Sequence, residues 1–271
     1  MIGGQFAAVA AVRASLPAIE RAALAIEPRL LADGRLIYVG AGTSGRLAVQ
    51  DGAELMPTFA WPQHRLILLI AGGEKAMTQA VEGAEDQVGY AIEEIRRHAV
   101  SAGDSLVAVA ASGTTPFTLA CLRQAKGCGA LTIGIANNRG TALLREADHP
   151  IFLDTGAEPI AGSTRMNAGT AQRMTLTLLS TLLMIRLGRV YRGLMVEVQA
   201  TNVKLLKRKK DMLRYLSGKS EPEVHEALVR ADGSVKVAVL LLEGCDLWTA
   251  EALLRRTNGR LRAPIDLAKA H

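Results

Sequence analysis

The stretch "RLIYVGAGTSGR", residues 35–46, decides the fold class. An apolar run that favours a strand is followed at once by the glycine pattern G-x-G-x-x-G and by hydroxyl side chains where a helix would begin. A strand, a glycine-rich turn and a helix in this order are typical of the first unit of a parallel α/β sheet, and such a turn commonly binds phosphate. The stretch therefore predicts an α/β domain with a phosphate-binding first loop.

The first loop matches a dinucleotide fingerprint only in part. A dinucleotide-binding fold places an acidic residue about 20 residues beyond the glycines, at the end of the second strand, to hold the ribose. Here the second apolar run ends in "LLIAGG", residues 68–73, and Glu74 follows only after the two glycines. The loop instead offers backbone N–H groups, hydroxyls and a helix dipole to a phosphate. Its candidate ligand-binding residues are Gly42, Thr43, Ser44 and Gly45.

A second loop, "VAVAASGTTP" at residues 107–116, has the same design. It runs from an apolar strand through serine and glycine to threonines, with a proline where a helix would start. Two such loops at the carboxyl ends of parallel strands face one crevice, which favours a phosphorylated ligand rich in hydroxyl groups. Serine and threonine are also common helix caps, so either loop alone remains open to that interpretation. The candidate residues are Ser112, Gly113, Thr114 and Thr115.

Continuous apolar runs alternate with helical patterns over the first half of the chain. This pattern predicts a doubly wound, five-stranded parallel sheet covered by helices on both faces, a three-layer αβα arrangement. The predicted strands are residues 35–39, 65–70, 105–110, 130–135 and 150–153. The predicted helices are residues 7–31, 44–55, 74–100, 116–126 and 141–145.

Beyond residue 153 the sequence predicts helices and no strands. Long helices are expected at residues 166–187 and 198–215, followed by a linker and three short helices. We therefore expect one domain over residues 1–215, whose two loops favour a phosphorylated ligand, and a small helical module over residues 216–271.

Charge, apolar run length and residue spacing limit the kinds of partner that we expect. The 271 residues carry a net charge of +6, and the basic run at residues 204–214 has few aromatic neighbours, which favours a solvated helix face over nucleic-acid binding. The apolar run at residues 174–185 is shorter than the about 20 residues that span a bilayer. No secretory leader is apparent, so we expect a cytoplasmic protein with no membrane partner. The three cysteines and five histidines lack ligand spacing, so we expect no metal site.

Four further motifs accompany the first loop. They read "DGAELMPTF" (51–59), "AGGEKAMTQAVEGAED" (71–86), "GSTRMNAGTAQ" (162–172) and "GLMVEVQATNVKL" (193–205). Together with the two loops they resemble the sugar isomerase (SIS) fold of phosphosugar enzymes, and more narrowly the N-acetylmuramic acid 6-phosphate etherase family. The resemblance extends from about residue 35 to residue 205 and rests on motifs in a fixed order.

The resemblance implies an elimination reaction. Members of this family remove the D-lactyl ether from the sugar, leaving N-acetylglucosamine 6-phosphate, and two glutamates do the chemistry. Motif by motif these fall on Glu85 as the base and Glu54 as the acid. The resemblance also implies a homodimer and no cofactor. Three residues, Ser163, Thr164 and Arg165, are expected to complete the pocket.

Alternatives remain open from the residues alone. Glu54 also fits a surface carboxylate at a helix end, Glu85 a helix cap or ion pair, and Arg165 an ion pair at the core edge. Thr114 stands where the family usually has arginine, and Asn167 where it has lysine. An aldose-ketose phosphosugar isomerase and a non-catalytic phosphosugar regulator are the alternative functions.

Overall fold

A computed structural model of the chain describes residues 1–200 and 202–268. Its centre is a five-stranded parallel sheet with the strand order β2-β1-β3-β4-β5. The strands are β1 Leu36–Gly40, β2 Leu66–Ile70, β3 Ser105–Val109, β4 Leu131–Ala136 and β5 His149–Phe152. Leu36 of β1 is in register with Leu66 of β2 and with Ser105 of β3. The predicted doubly wound sheet is confirmed.

Helices cover both faces of this sheet, as its apolar strands require. All five residues of β1 and of β3 are buried, and the core includes Phe117 and Leu122 from one of the covering helices. The α-helices from the N-terminus to residue 186 are α1 Ile2–Leu31, α2 Gly42–Ala53, α3 Leu55–Phe59, α4 Val88–Arg97, α5 Pro116–Gly127, α6 Ala142–Glu146 and α7 Asn167–Arg186.

The expectation of one long helix over residues 74–100 was wrong. The segment forms two short 3-10 turns, Glu74–Met77 and Ala84–Asp86, before α4 begins. Gly73 and Gly83 adopt φ of 66° and 67°, a left-handed conformation that interrupts a right-handed helix. Glu85 therefore lies on an exposed turn and not within a helix.

The N-terminal helix α1 is, within the described part of the chain, the one helix that is long and apolar enough to cross a membrane by length and composition alone. It also makes contacts typical of a helix that covers a sheet. The Ser15 hydroxyl donates a hydrogen bond to the carbonyl of Phe152 in β5 at 2.5 Å. Ala22, Ala23 and Ile26 on the same helix are fully buried.

Contacts divide the chain into two units, and the boundary differs from the expected one at residue 215. The first unit comprises residues 1–54 and 62–183, and the second comprises residues 55–61 and the described residues from 184 onward. The difference arises because Met212 and Leu213 are buried in the core of the C-terminal helices. The helices that lie wholly in the second unit are α3, given above, and α8 Val203–Ser217, α9 Glu221–Arg230, α10 Val235–Leu242, α11 Leu247–Arg256 and α12 Arg262–Ala268.

The second unit also contains a small hairpin, so the expectation of no strand beyond residue 153 was wrong. Its strands β6 Val190–Tyr191 and β7 Leu194–Met195 pair antiparallel. Arg192 and Gly193 between them both have positive φ, 49° and 75°, as a two-residue type I′ turn requires. An Arg-Gly pair is not the Asn-Gly signal of such turns, and each strand has only two residues, which explains why the pattern missed it.

Candidate active site

The two glycine-rich loops open into one cavity of about 330 Å³. It lies beyond the carboxyl ends of β1 and β3, which are neighbours in the sheet. In an open α/β sheet this is the place where ligands bind. The described residues that line the cavity are Ala41, Gly42, Thr43, Ser44, Glu85, Ala111, Ser112, Thr114, Thr115, Pro116 and Thr164.

The first loop needs its glycines for close packing. A Cβ on Gly45 would lie 2.7 Å from the Gly40 carbonyl oxygen, so α2 approaches the end of β1 as only glycine allows. Ala41 is the N-cap of α2, and no side chain of the described residues caps this helix end. Its first N–H groups are therefore available to a ligand, together with the positive end of the helix dipole. Such a helix end is suited to an anion.

The second loop turns its hydroxyl groups toward one another. The Thr114 N–H donates to Ser112 Oγ at 3.2 Å, and Ser112 Oγ lies 3.3 Å from Thr115 Oγ1. Gly113 has φ of 65°, and a Cβ there would lie 2.2 Å from Thr141 Oγ1. Thr115 is the N-cap of α5, so a second helix begins at the same cavity. Gly113 and Gly45 thus shape the loops without lining the cavity themselves.

The "GSTRMNAGTAQ" motif brings only part of its expected residues to the cavity. Thr164 lines it, whereas Ser163 and Arg165 are not among its described lining residues. The Gly169 N–H donates to the Thr164 carbonyl at 2.9 Å, and a Cβ on Gly169 would lie 3.5 Å from Thr43 Cγ2. The motif therefore packs the start of α7 against the first loop.

Glu54 lies elsewhere. It follows the last residue of α2 and lines a separate cavity of about 220 Å³ between α2 and α7. At about 1.5 Å per residue, the ten steps from Ser44 to Glu54 extend about 15 Å along the helix. Within one chain the structure does not bring Glu54 and Glu85 into one cavity. The described residues lining this second cavity are Leu47, Gln50, Asp51, Glu54, Arg173 and Thr177.

Asp51 anchors the helix that carries Glu54, and it was not among the residues predicted for the site. Its carboxylate accepts hydrogen bonds from the Tyr38 hydroxyl at 2.9 Å and from Ser180 Oγ at 3.2 Å. Burial raises the pKa of Asp51, partly offset by these hydrogen bonds. Burial, with the Asp51 charge, raises the pKa of Tyr38 well above its usual value. The acidic residue at the start of the "DGAELMPT" motif was the available signal.

Arg46 was also missed, although it ends the first motif. Its guanidinium donates to the carbonyls of Ala76 at 2.7 Å and Gln79 at 2.9 Å. These bonds attach α2 to the irregular segment that leads to Glu85. An arginine that closes a glycine motif and precedes a long polar loop was the only sequence sign of this contact.

Asn167, the position where the family usually has lysine, is buried and 2% exposed. Its side-chain amide donates to the Ala157 carbonyl at 2.9 Å. Glu158 accepts the backbone N–H groups of Asn167 at 3.1 Å and Ala168 at 2.8 Å, and so caps α7. The side chain of Asn167 thus stabilises the start of α7 and is not among the described residues that line either cavity.

No group of three or more histidine, cysteine, aspartate or glutamate side chains able to hold a metal ion occurs among residues 1–200 and 202–268.

Sequence comparison places the chain among known proteins. It is 49% identical to N-acetylmuramic acid 6-phosphate etherase of Deinococcus radiodurans over 95% of this chain and 85% of the relative. It is 44% identical to the etherase of Streptomyces avermitilis over 99% of this chain and 87% of that protein. The chain belongs to the N-acetylmuramic acid 6-phosphate etherase family.

Domain-level and structural comparisons of this etherase-family chain agree on the fold. Residues 87–182 match the SIS domain, and residues 19–126 match the N-terminal SIS domain of glucokinase regulatory protein. A phosphoheptose isomerase from Neisseria gonorrhoeae aligns with a TM-score of 0.50 at 16% identity, covering 67% of this chain and 93% of that one. A Bacteroides fragilis protein, described as a phosphosugar isomerase involved in capsule formation, aligns with a TM-score of 0.52 at 19% identity, covering 69% and 88%. The SIS fold predicted from the motifs is confirmed.

Proposed function

We propose that this protein is a carbon–oxygen lyase that cleaves the D-lactyl ether of N-acetylmuramic acid 6-phosphate, giving N-acetylglucosamine 6-phosphate and D-lactate. The observation that carries the proposal is the cavity that joins Glu85 to both glycine-rich loops, in a chain 49% identical to an etherase. A base and an anion site in one cavity are what an elimination on a sugar phosphate needs.

The phosphate binds at the loops. Backbone N–H groups at the start of α2 and α5, with the hydroxyls of Ser44, Ser112 and Thr115, donate to its oxygens. Thr43, Thr114 and Thr164 line the same cavity and add hydroxyl groups for the sugar. Glu85 is the one charged side chain among the described lining residues, so phosphate binding here relies on dipoles and hydroxyls. Ser163 and Arg165 are not among the described lining residues, so phosphate binding in this proposal does not rely on them.

Glu85 is the base. In its open-chain form the sugar has an aldehyde, which makes the hydrogen on the neighbouring carbon, C2, acidic. The Glu85 carboxylate takes this proton, and the electron pair left on C2 forms a double bond to C3 as the bond from C3 to the ether oxygen breaks. An exposed carboxylate on a turn at the edge of the cavity suits this step, because a sugar held by the two loops lies beside it.

Glu54 is the acid. The departing lactate oxygen leaves with the electron pair of the broken bond, and a neutral carboxylic acid at that oxygen supplies the proton. Water then adds across the double bond, its oxygen to C3 and a proton to C2, which yields N-acetylglucosamine 6-phosphate. One water is consumed for each ether bond cleaved, and no electron transfer or cofactor is required.

Acid and base come from two subunits of a homodimer. Three carbon–carbon bonds, at about 1.5 Å each, join the phosphate-bearing carbon of the sugar to the ether-bearing carbon. A sugar whose phosphate sits at the start of α2 therefore does not extend the about 15 Å to Glu54 of the same chain. Glu54 of the partner subunit completes the cavity that contains Glu85.

An exposed apolar stripe on α1 supports the dimer. Ile2 and Phe6 are 73% and 70% exposed, and Val9 and Leu16 continue the same helical face. Such a stripe is typical of a face covered by another protein, and a second copy of the chain is our proposed occupant. We place the protein in the cytoplasm, with no membrane or nucleic-acid partner.

The test is release of D-lactate from N-acetylmuramic acid 6-phosphate by purified protein, with Glu85→Gln as the control. We expect release by the wild type and loss of about 10²- to 10⁴-fold in the variant. Exchange of the C2 hydrogen with solvent but no lactate would instead indicate an isomerase. Tight sugar phosphate binding with neither lactate nor exchange would indicate a regulator, and either result contradicts the proposal.

A further inference from the structure

The cavity between α2 and α7 is lined by a positively charged side chain that has no role in the reaction described above. Arg173 lines it together with Glu54, and Thr177 follows one helical turn later on the same face of α7. Within the described ranges, 1–200 and 202–268, Arg173 forms no ion pair within 4 Å, although Asp51 and Glu54 share its cavity. Its exposed guanidinium is therefore available to a ligand.

The leaving group of the proposed reaction is itself an anion. In the lactyl ether, the carbon attached to the ether oxygen also bears the carboxylate, so the carboxylate carbon is only two bonds from that oxygen. An acid that protonates the oxygen lies about 2.6 to 3.2 Å from it. Whatever group binds the carboxylate must therefore lie beside the acid, and the described cation in the cavity of Glu54 is Arg173.

We infer that Arg173 binds the carboxylate of the lactyl group and makes the enzyme specific for an ether that carries an acid; this inference rests on the proposed function and on Glu54 as the acid. The planar guanidinium matches a carboxylate with two parallel hydrogen bonds. Thr177 lines the same space, and its hydroxyl is hydrogen-bonded to Asp51. The cavity of about 220 Å³ is several times the about 30 Å³ that one water occupies in the liquid, which leaves room for a three-carbon acid.

Arg173 and Glu54 act together because both line one cavity of one chain. Where Glu54 reaches the Glu85 cavity of a second copy, Arg173 accompanies it. The phosphate and the lactyl carboxylate are then recognised by different chemistry, the first by helix N-termini and hydroxyls and the second by a guanidinium. A sugar phosphate without the lactyl group would use only the first of these contacts.

The experiment compares two ethers and three variants. The substrates are N-acetylmuramic acid 6-phosphate and its lactamide analogue, in which a neutral amide replaces the carboxylate. The wild type should cleave the acid with a kcat/KM about 10- to 100-fold above that of the amide, as the loss of hydrogen bonds to a charged group predicts. Arg173→Gln should lose this preference mainly by slowing cleavage of the acid. Arg173→Lys should retain part of this preference for the acid, because lysine keeps the positive charge but lacks the two parallel N–H donors of the guanidinium.

Controls separate the inference from its alternatives. Arg96→Gln removes an exposed arginine of α4 that lines neither cavity and should leave both rates unchanged. Binding of N-acetylglucosamine 6-phosphate, measured by calorimetry, should be the same in Arg173→Gln and the wild type. Equal losses on both ethers, or weaker binding of that product, would assign Arg173 to another role and overturn the inference. If the wild type cleaves neither ether, the proposed function itself fails, and calorimetry with the intact lactyl sugar still shows whether Arg173 contributes to binding.

Discussion

The two cavities at either end of α2 differ in how they are built. The cavity at the start of the helix is lined by backbone and hydroxyl groups, and Glu85 is the single charged side chain among its described lining residues. The cavity toward the end of α2 is lined by long polar and charged side chains, including Asp51, Glu54 and Arg173. The first is suited to holding a phosphate beside the carboxylate of Glu85, and the second to donating a proton and contacting a second anion.

The spacing between these cavities follows from the helix itself. Gly42–Ala53 has twelve residues, so its two ends are about 18 Å apart, and a single amino sugar does not bridge them. A helix of fixed length keeps the binding end and the acid-bearing end apart in one chain, and two-fold symmetry offers a way to bring one end of each copy together. The comparison between the two cavities therefore makes a statement about assembly that can be tested.

Mixing two inactive variants should give the largest effect. Glu85→Gln and Glu54→Gln should each lose about 10²- to 10⁴-fold in D-lactate release, because each removes one proton-transfer group. If acid and base come from different subunits, a mixed dimer contains one intact site and one that lacks both groups. Co-refolding equal amounts should then restore about a quarter of the wild-type activity, since half of the dimers are mixed and each has one site.

Dimers formed from either variant alone provide the control for that experiment. They should stay inactive after the same refolding treatment. No recovery in the mixture, with mixed dimers demonstrated by differently tagged chains, would mean that Glu54 and Glu85 of the same chain act together. A sedimentation experiment showing only monomers in fully active wild-type protein would contradict the two-subunit site directly.

Gly45→Ala should show how strictly the binding end depends on close packing. The added Cβ would meet the Gly40 carbonyl oxygen at 2.7 Å, a backbone atom that gives way only if the strand moves. We expect a loss of about 1 to 3 kcal/mol in the free energy of unfolding, typical of overpacking, with weaker binding of N-acetylglucosamine 6-phosphate. Urea unfolding and calorimetry measure the two effects.

Gly89→Ala is the matched control for the glycine substitution. Gly89 lies in α4, and an added Cβ has no neighbour within 4 Å. Because alanine favours a helix over glycine, this change should stabilise the protein by about 0.5 to 1 kcal/mol and leave binding unchanged. A Gly45→Ala protein as stable as the wild type would show that the first loop is more adaptable than its geometry indicates.

The sheet and its two loops were predictable from the sequence because their signals are local. Each strand is a short apolar run bounded by turn residues, and burial on both faces makes such runs continuous. The segment before Glu85 was not predictable in the same way. Its residues have helical periodicity, but Gly73 and Gly83 take left-handed conformations, and Arg46 holds the resulting loop through carbonyl groups, which leave no mark in a sequence.

The residues of the candidate site also differ in whether a local signal predicts their position. Residues in the glycine motifs reach the cavity because each loop directly follows a strand whose carboxyl end borders it. Whether Glu54 joins them depends on the length of α2 and on a second copy of the chain, neither of which a motif encodes. Asp51 and Asn167 show a further limit, since each side chain is committed to hydrogen bonds within the fold that depend on residues distant in sequence.

Asp51 provides the smallest predicted effect and a test of how the acid-bearing end is anchored. Burial raises the pKa of this carboxyl, so the folded protein binds the proton more tightly than the unfolded chain. The resulting stabilisation is fully present below the usual aspartate pKa of about 3.9 and is lost as the pH rises through the higher pKa of the folded state. Asp51→Asn keeps the shape of the side chain without titrating, so its free energy of unfolding should rise relative to that of the wild type as the pH rises through this window.

Glu20→Gln, on the exposed face of α1, provides the control for removing one carboxylate. The opposite result would be a free energy of unfolding of Asp51→Asn that falls relative to the wild type as the pH rises. It would mean that the hydrogen bonds from Tyr38 and Ser180 outweigh burial, and that the charged form of Asp51 holds α2 to α7.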